Sequence, residues 1–216
     1  MASSGRIINP ATPNLPLGTD QYERRYQDQF ANILRLYFNQ LQNSLTELLG
    51  NVGGKYISFP YGAFSSSVDQ TATANTATLM TLNTTDFNNG VSISSSKITV
   101  ENAGIYNLQF SAQFQNTDNK IQDISIWLRQ NGTDIVGSTG LVSIPARKSA
   151  SAGEEAHEIV GWNYYISMNA NDYVQIYWST TLESVTIQAY NASTGPVRPS
   201  TQSVVATLSF VSALPP

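Results

Sequence analysis

Most of the chain after residue 55 alternates between apolar and polar residues with a period of two. In the clearest segment, polar Asn, Gln and Ser residues separate Tyr106, Leu108, Phe110, Ala112 and Phe114. This alternation is typical of a half-buried antiparallel strand. The pattern returns at 124–128, 162–168, 174–178, 185–189 and 204–210. It predicts about ten short strands without intervening helices, which is an all-β sandwich or barrel over residues 55–216.

The last apolar segment, residues 203–211, lies almost at the end of the sequence. Its alternate positions are apolar or β-branched, so it is predicted to be a central strand rather than an edge strand. A sandwich that places its last strand in the middle of a sheet is typical of a jelly roll.

Residues 19–49 have the helical period instead. Asp20 and Glu23 have the spacing of a capping box, Gly50 predicts the end of the helix, and Gly53 and Gly54 predict a hinge, so that residues 19–54 form a stalk. Apolar residues recur in steps of four and three, and they form one stripe: Tyr22, Tyr26, Phe30, Leu34, Tyr37, Leu41, Leu45 and Leu48. The stripe needs an apolar partner. The helix can fold back on the β domain or associate with its own copies, and the glycines after it favour the second arrangement.

Residues 1–18 are predicted to be extended, because three prolines spaced by three residues lack amide donors. One interpretation is a frayed terminus. The other is an arm that docks on a partner surface and orders there. The docking residues of such an arm would be Arg6, Ile7, Ile8, Pro10, Pro13 and Pro16.

The composition excludes several classes of function. Lys and Arg total 11, the formal net charge is −4, and only 12% of the residues are charged, so binding to nucleic acid or to an anionic membrane is not expected. The absence of cysteine excludes disulfides, Cys-based zinc sites and thiol catalysis. No apolar run approaches membrane-spanning length and no secretory signal opens the sequence, so we expect a soluble protein without membrane insertion.

Candidate catalytic and metal-binding residues are few. His157, the only histidine, stands among Glu154, Glu155 and Glu158 in what we predict to be a solvated polar loop. The carboxylates lack a spacing that would hold them on one face with the histidine. Four further residues have the oxygen ligands that calcium prefers, but without a dense cluster they are predicted to form turns: Asp118, Asp123, Asp134 and Asp172. We therefore expect no enzyme, no metal and no cofactor.

Seven segments of the β region share a pattern with a known family. Residues 104–110 have the order Gly-x-Tyr-x-Leu-x-Phe, and the other segments are 81–91, 97–100, 126–132, 161–163, 171–176 and 199–203. In order and spacing, residues 78–211 resemble the C1q/TNF-like jelly-roll family, especially the versions found in bacteriophage structural proteins. The resemblance implies a ten-stranded jelly roll that assembles as a homotrimer through sheet faces near the axis.

The arm and the helix have no match in the family, but the trimer that the resemblance implies for the head gives the helix and several outward aromatic residues an expected role. The apolar stripe of the helix would join three chains, and Tyr165, Tyr173 and Tyr177 would lie at the trimer contact of the head. The function implied is a non-enzymatic virion protein, assembled in the host cytoplasm, that forms a capsid decoration or a head or tail fibre. Its partners would be itself and a capsid or tail protein, which the arm contacts.

An alternative is that the same trimer is the receptor-binding tip of a tail appendage. Aromatic residues on the surface can stack on sugars, and the candidates for contact with a host surface glycan are Trp127 and Tyr190. A hydrolase that cleaves such a glycan is disfavoured, because no acid/base pair is arranged for that chemistry.

Overall fold

The computed structural model describes residues 10–18, 20–49, 59–149 and 154–214. The chain divides into two compact units, residues 1–58 and residues 59–216. Strands make up 49% of the structure and pair in antiparallel sheets, and the described ranges contain one helix. The expectation of an all-β sandwich preceded by one helix is therefore confirmed.

The helix of the first unit, α1, spans Arg24–Leu49. The carbonyl of Glu23 accepts a hydrogen bond from the amide of Gln27 at 3.2 Å, which puts Glu23 at the N-cap. The predicted start at residue 19, with Asp20 as the cap, is therefore wrong. The first turn of a helix orders several residues but forms few hydrogen bonds. The residue at which a helix begins is therefore only weakly determined by the local sequence.

The predicted stripe of α1 corresponds to a half-buried face for most of its length. Tyr22 precedes the helix and is exposed, and Leu45 is also exposed. The remaining stripe residues are half-buried: Tyr26, Phe30, Leu34, Tyr37, Leu41 and Leu48. Ser44 is buried in the same row. The helical period in the sequence thus identifies the side of the helix that is withdrawn from water.

The second unit is a β domain, which we call the head. The described residues form fifteen strands, which in chain order are β1 (Tyr61–Ser66), β2 (Thr78–Leu79), β3 (Thr84–Asn89), β4 (Val91–Ser94), β5 (Lys97–Val100), β6 (Gly104–Asn116), β7 (Gln122–Gln130), β8 (Thr133–Asp134), β9 (Gly140–Ile144), β10 (Ala156–Met168), β11 (Tyr173–Thr180), β12 (Val185–Ile187), β13 (Ser193–Thr194), β14 (Val197–Arg198) and β15 (Val204–Ser212). Four of these strands have only two residues, too few to show a period, which is why the sequence predicts about ten.

Two sheets contain most of the strands. The six-stranded sheet has the order β10-β6-β15-β1-β3, and β12 pairs with β6 beyond the end of β15. The seven-stranded sheet has the order β4-β5-β11-β7-β8, with β2 paired to β11 and β9 paired to β7. The last long strand, β15, lies between β6 and β1. Its predicted central position is thus confirmed.

The core lies between the two sheets and consists of the alternating apolar residues predicted from the sequence. On β6, Tyr106, Leu108, Phe110, Ala112 and Phe114 are all buried. The matching sets on β7, β11 and β15 are buried with them: Ile124, Ile126, Leu128, Val174, Ile176, Trp178, Val204, Ala206 and Leu208. Burial of this apolar area is the main force that holds the two sheets together.

The head has two distinct ends. Pro60 accepts a hydrogen bond from the amide of Phe210 at 2.9 Å, so the chain enters and leaves the sandwich at one end, which we call the entry end. Ser66 and Val204 are paired at the opposite end, the far end, where β6 finishes at Asn116.

Among the described residues, no helix is long and apolar enough to cross a bilayer.

Candidate functional site

The outer surface of the six-stranded sheet contains almost no charge. Its outward side chains on β6, β15 and β10 include Gln109, Ser111, Thr207, Val205 and Tyr165. Along all six strands the only carboxylates are those of Asp86 and Glu158, and no lysine or arginine is present. We call this surface the neutral face.

Large apolar side chains project from the neutral face. Ile159 is 65% exposed, Tyr165 is 59% exposed and Val205 is 37% exposed. Between them lies a depression of about 270 Å³, lined by Gln109, Phe110, Ser111, Val205 and Thr207. The depression exists because small residues occupy this part of the sheet: Gly161 on β10 pairs with Ser111 on β6.

The outer surface of the seven-stranded sheet is different, because cations cover its aromatic residues. Nζ of Lys97 lies 4.4 Å from the ring centroid of Tyr173, and the guanidinium of Arg129 lies 3.9 Å from that of Tyr177. Trp127 stacks on Tyr177, with ring centroids 6.0 Å apart. These are cation–π and aromatic contacts within one chain.

Trp127 and Tyr177, with Arg129 over the Tyr177 ring, form what we call the aromatic row, and a carboxylate binds at its end. Asp134 accepts hydrogen bonds from Nε of Arg129 at 2.7 Å and from Nε1 of Trp127 at 2.8 Å. The bond from Arg129 lowers the pKa of the Asp134 carboxyl, and the bond from Trp127 lowers it further. The same pairing raises the pKa of the Arg129 guanidinium. The charge of Arg129 in the aromatic row is thus balanced by Asp134 of the same chain.

The structure does not bring together the three tyrosines expected at the head's trimer contact. Tyr165 lies on β10 in the six-stranded sheet, whereas Tyr173 and Tyr177 lie on β11 in the seven-stranded sheet. No single sheet face therefore contains all three. Alternation shows that a residue points away from the core, but it does not show to which of the two sheets its strand belongs.

A cleft opens at the far end of the head, and we call it the Tyr190 cleft. Its volume is about 410 Å³, and it is lined by Ser67, Val68, Asp69, Ala189, Tyr190, Asn191, Ser200, Thr201 and Gln202. Tyr190 and Thr201 exchange two backbone hydrogen bonds, at 3.0 and 2.7 Å, that close the base of the excursion between them. That excursion carries the β13–β14 hairpin.

Contacts on several sides fix the ring of Tyr190. Its hydroxyl donates to Oε1 of Gln115 at 3.0 Å and lies 3.1 Å from Nδ1 of His157. The guanidinium of Arg198 lies 5.3 Å from the ring centroid. Burial raises the pKa of the Tyr190 phenol, as do the carboxylates of Asp69 and Glu155, while Arg198 acts in the opposite direction.

His157 is in a different environment from the one predicted. It lies on β10, paired with Gln115 of β6, and its ring is perpendicular to that of Tyr190 with 5.6 Å between centroids. The predicted loop is therefore wrong at this residue, which lies on a strand, whereas its predicted exposure to solvent is confirmed. The sequence contains no signal for this contact, because 33 positions separate the two residues.

The two candidate glycan contacts lie apart from each other. Trp127 belongs to the aromatic row of the seven-stranded sheet, where both its ring and its nitrogen have partners. Tyr190 lines the cleft at the far end. Tyr190 lines a cleft and Trp127 does not belong to its lining, so the two residues predicted as glycan contacts do not form one site.

The four aspartates considered for calcium each accept hydrogen bonds from neighbouring donors. Asp118 accepts from Gln122 at 2.6 Å, Asp123 from Ser143 at 2.6 Å, and Asp172 from Asn131 at 2.7 Å. Asp134 is paired with Arg129, as described. In the part of the chain that the structure describes, no three His, Cys, Asp or Glu residues are grouped as a metal site.

The predicted docking arm is described only in part. Arg6, Ile7, Ile8 and the hinge glycines fall outside the described residues. Pro10, Pro13 and Pro16 are half-buried and belong to no helix or strand. The carbonyl of Pro16 accepts a hydrogen bond from the Tyr26 hydroxyl at 3.3 Å, which ties this segment to the first turns of α1.

Comparison with protein-family models and with curated proteins gives no relative from which a function can be transferred. No protein-family model matches the chain, and no curated protein matches it. The neutral face and the Tyr190 cleft are consequently the two features from which a function can be inferred.

Proposed function

We propose that the chain is a non-enzymatic structural protein of a bacteriophage particle, in which three copies form a capsid decoration or a head or tail fibre. The observation that carries this proposal is the neutral face. A water-exposed sheet surface with almost no charge is poorly suited to a free monomer and well suited to a permanent contact.

The chemistry of the neutral face supports an obligate interface between copies. Charged residues are depleted from the centre of such interfaces, because a buried charge without a partner loses its hydration. Ile159, Tyr165 and Val205 supply apolar area, and the depression beside Ser111 offers space for a side chain of another copy. The polar residues between them are neutral amides and hydroxyls, which can exchange hydrogen bonds across a contact.

The seven-stranded sheet is the weaker candidate for this contact. Its outward aromatic residues already have cationic or aromatic partners in the same chain, as Tyr177 has in Arg129 and Trp127. Association through that surface would have to break these contacts or desolvate them. We therefore assign the trimer contact of the head to the sheet that contains Tyr165.

The remaining elements fit the same proposal. The strand orders of the two sheets suit a jelly roll, and the resemblance of residues 78–211 to the C1q/TNF-like family favours that type and the trimer. The half-buried stripe of α1 is proposed to join the three chains. Residues 1–18 are proposed to dock on a capsid or tail protein of the virion.

The assembly is tested with a charge placed on the neutral face. Wild-type protein is expected to have about three times the 23.5 kDa chain mass by light scattering. Val205→Arg is expected to reduce that mass, because it buries a cation without a partner. Val136→Arg is the matched control, since Val136 is 97% exposed in the β8–β9 connection. A monomeric wild type, or an unchanged mass for Val205→Arg, would contradict the proposed contact.

The location is tested by counting copies of the chain in purified particles with quantitative mass spectrometry. A high copy number that follows the capsid lattice indicates a head decoration or fibre. A few trimers per particle indicate a tail appendage. Absence from the particle would refute the virion assignment while leaving the trimer intact.

A further inference from the structure

We infer that the Tyr190 cleft is a binding site for a neutral saccharide. Its volume of about 410 Å³ lies within the range of about 300–1,000 Å³ that is usual for small-molecule sites. Val68 and Ala189 are its only aliphatic lining residues, and the others carry hydroxyl, amide, carboxylate or phenol groups. An apolar ligand would therefore gain little by entering, whereas a polyhydroxylated ligand would find partners on several sides.

The cleft presents side chains that are free to bind a ligand. In the described portion of the chain, the side chains of Asn191, Ser200 and Gln202 make no hydrogen bond to other residues, and all three are exposed. An amide offers both donors and acceptors, and a hydroxyl does the same. Sugar hydroxyls need this mixture, because each one donates one hydrogen bond and accepts others.

Asp69 adds a fixed acceptor to the cleft. Its Oδ1 accepts a hydrogen bond from the backbone amide of Ala189 at 2.8 Å. The Gln188 side chain donates to Oδ2 at 3.1 Å when its amide is oriented with the nitrogen towards Asp69 and the oxygen towards Thr186. A carboxylate has about four acceptor positions, so Asp69 keeps capacity for ligand hydroxyls. These bonds hold the carboxylate in place before any ligand arrives, which reduces the entropy lost on binding.

Tyr190 contributes an aromatic ring that is equally well fixed. Gln115 and His157 hold its hydroxyl, and Arg198 lies near the ring. The face of an aromatic ring carries partial negative charge, and the C–H groups on one face of a pyranose are weakly positive. A tyrosine ring held in this way is thus suited to pack on the C–H face of a sugar, while the neighbouring side chains bind the sugar hydroxyls.

The charges around the cleft favour a neutral ligand over an anionic one. Asp69 lines the cleft itself, whereas Arg198 is placed by a hydrogen bond to the carbonyl of Asn191 at 2.8 Å and by its contact with Tyr190. A phosphate or uronate would approach the carboxylate of Asp69 without a free cation among the lining residues. The net charge of −4 adds to that repulsion.

The site is tested with the intact, full-length protein on an array of neutral, sialylated and uronate-containing oligosaccharides. In the proposed trimer, three copies raise the apparent affinity on such a surface, and dense printing of the glycans keeps weak single sites detectable for a monomer as well. We expect binding to a subset of neutral glycans. Asn191→Ala and Gln202→Ala should each weaken it about five- to tenfold, the change that corresponds to one lost neutral hydrogen bond. Asn119→Ala is the control, because Asn119 is exposed and lies outside the cleft.

The outcomes separate this inference from the virion proposal. Failure of the wild type to bind any neutral glycan, or binding that survives both substitutions together, overturns the saccharide site. Binding confined to acidic glycans overturns the assignment to neutral sugars. The inference depends on the head alone, so the copy number in particles neither supports nor contradicts it. The molecular mass of each sample, measured by light scattering, reports the oligomeric state separately.

Discussion

Asp172 connects two turns at the entry end of the head through one carboxylate. Its Oδ2 accepts from the amide of Asn169 at 2.7 Å and from Gln130 at 3.2 Å, and its Oδ1 accepts from Asn131 at 2.7 Å. Burial opposes ionisation of this group, but the bonds from Asn169, Asn131 and Gln130 outweigh it and lower the pKa of the Asp172 carboxyl. Each of these bonds favours the charged form.

The lowered pKa of Asp172 predicts a dependence of stability on pH. The unfolded chain binds this proton near the ordinary value of 3.8, whereas the folded protein binds it only at lower pH. The stabilisation is therefore present above about pH 4 and is lost as the pH falls through the folded pKa. Asp172→Asn should lower the free energy of unfolding at pH 7 by about 1.5 kcal/mol, with a smaller difference at low pH.

Urea unfolding of wild type and variant between pH 2 and pH 7 measures this difference. Asp20→Asn serves as the control, since Asp20 is exposed ahead of α1 and lies outside the head. A gap between wild type and Asp172→Asn that stays constant across the whole range would contradict the assigned role.

At this scale the sequence predicts the core well and the surface poorly. Leu108 and Phe110 are correctly placed inside, because a period of two is a local property of a strand. The contact between His157 and Tyr190 depends on the pairing of distant segments, which no local pattern encodes. The cleft residue Tyr190 was a candidate for its chemistry, but its partners were not predictable.

Strand β10 approaches β6 so closely that one position along it accommodates only glycine. A Cβ on Gly161 would overlap the carbonyl oxygen of Phe110 and lie 3.0 Å from Cα of Ser111. Both obstacles are backbone atoms, so a side-chain rotation cannot remove the clash. The glycine thus permits the full-length pairing of the edge strand.

Gly161→Ala is expected to destabilise the head by about 1–3 kcal/mol, the usual cost of forcing an extra methyl into a packed site. The midpoint of urea unfolding, monitored by tryptophan fluorescence, provides the measurement. Asn163→Ala on the same strand is the comparison, because Asn163 is exposed and its replacement creates no clash. Equal midpoints for the two variants would show that β10 can shift to admit the methyl group.

Elements differ in how far sequence determines them. The long strands and the helix were predictable because each shows several repeats of its period. The two-residue strands show no period, and the first turn of α1 begins at Arg24 rather than at residue 19. Tyr165 and Tyr173 could not be assigned to different sheets, because β10 and β11 follow each other along the chain and no local pattern shows that they belong to opposite sheets.

For the whole molecule, the neutral face predicts how the assembly responds to salt. An interface without ion pairs depends on apolar burial, which screening does not weaken. The proposed trimer should therefore keep its mass between 0.05 and 1 M NaCl, a range over which the screening length falls to about 3 Å. Sedimentation velocity at both concentrations measures it. Dissociation at high salt would indicate a contact made by charges and would exclude the neutral face.

The two hydrogen bonds between Tyr190 and Thr201 have a consequence for how this protein can diversify. They fasten the excursion at its base, so residues 191–200 behave as a cassette inserted into an otherwise continuous head. Substitutions or length changes inside the cassette alter the wall of the cleft without disturbing the register of β15. The residues that wall the cleft are thereby separated in the chain from the long strands of the two sheets, so a lineage can change the far end of the head while it keeps the same scaffold.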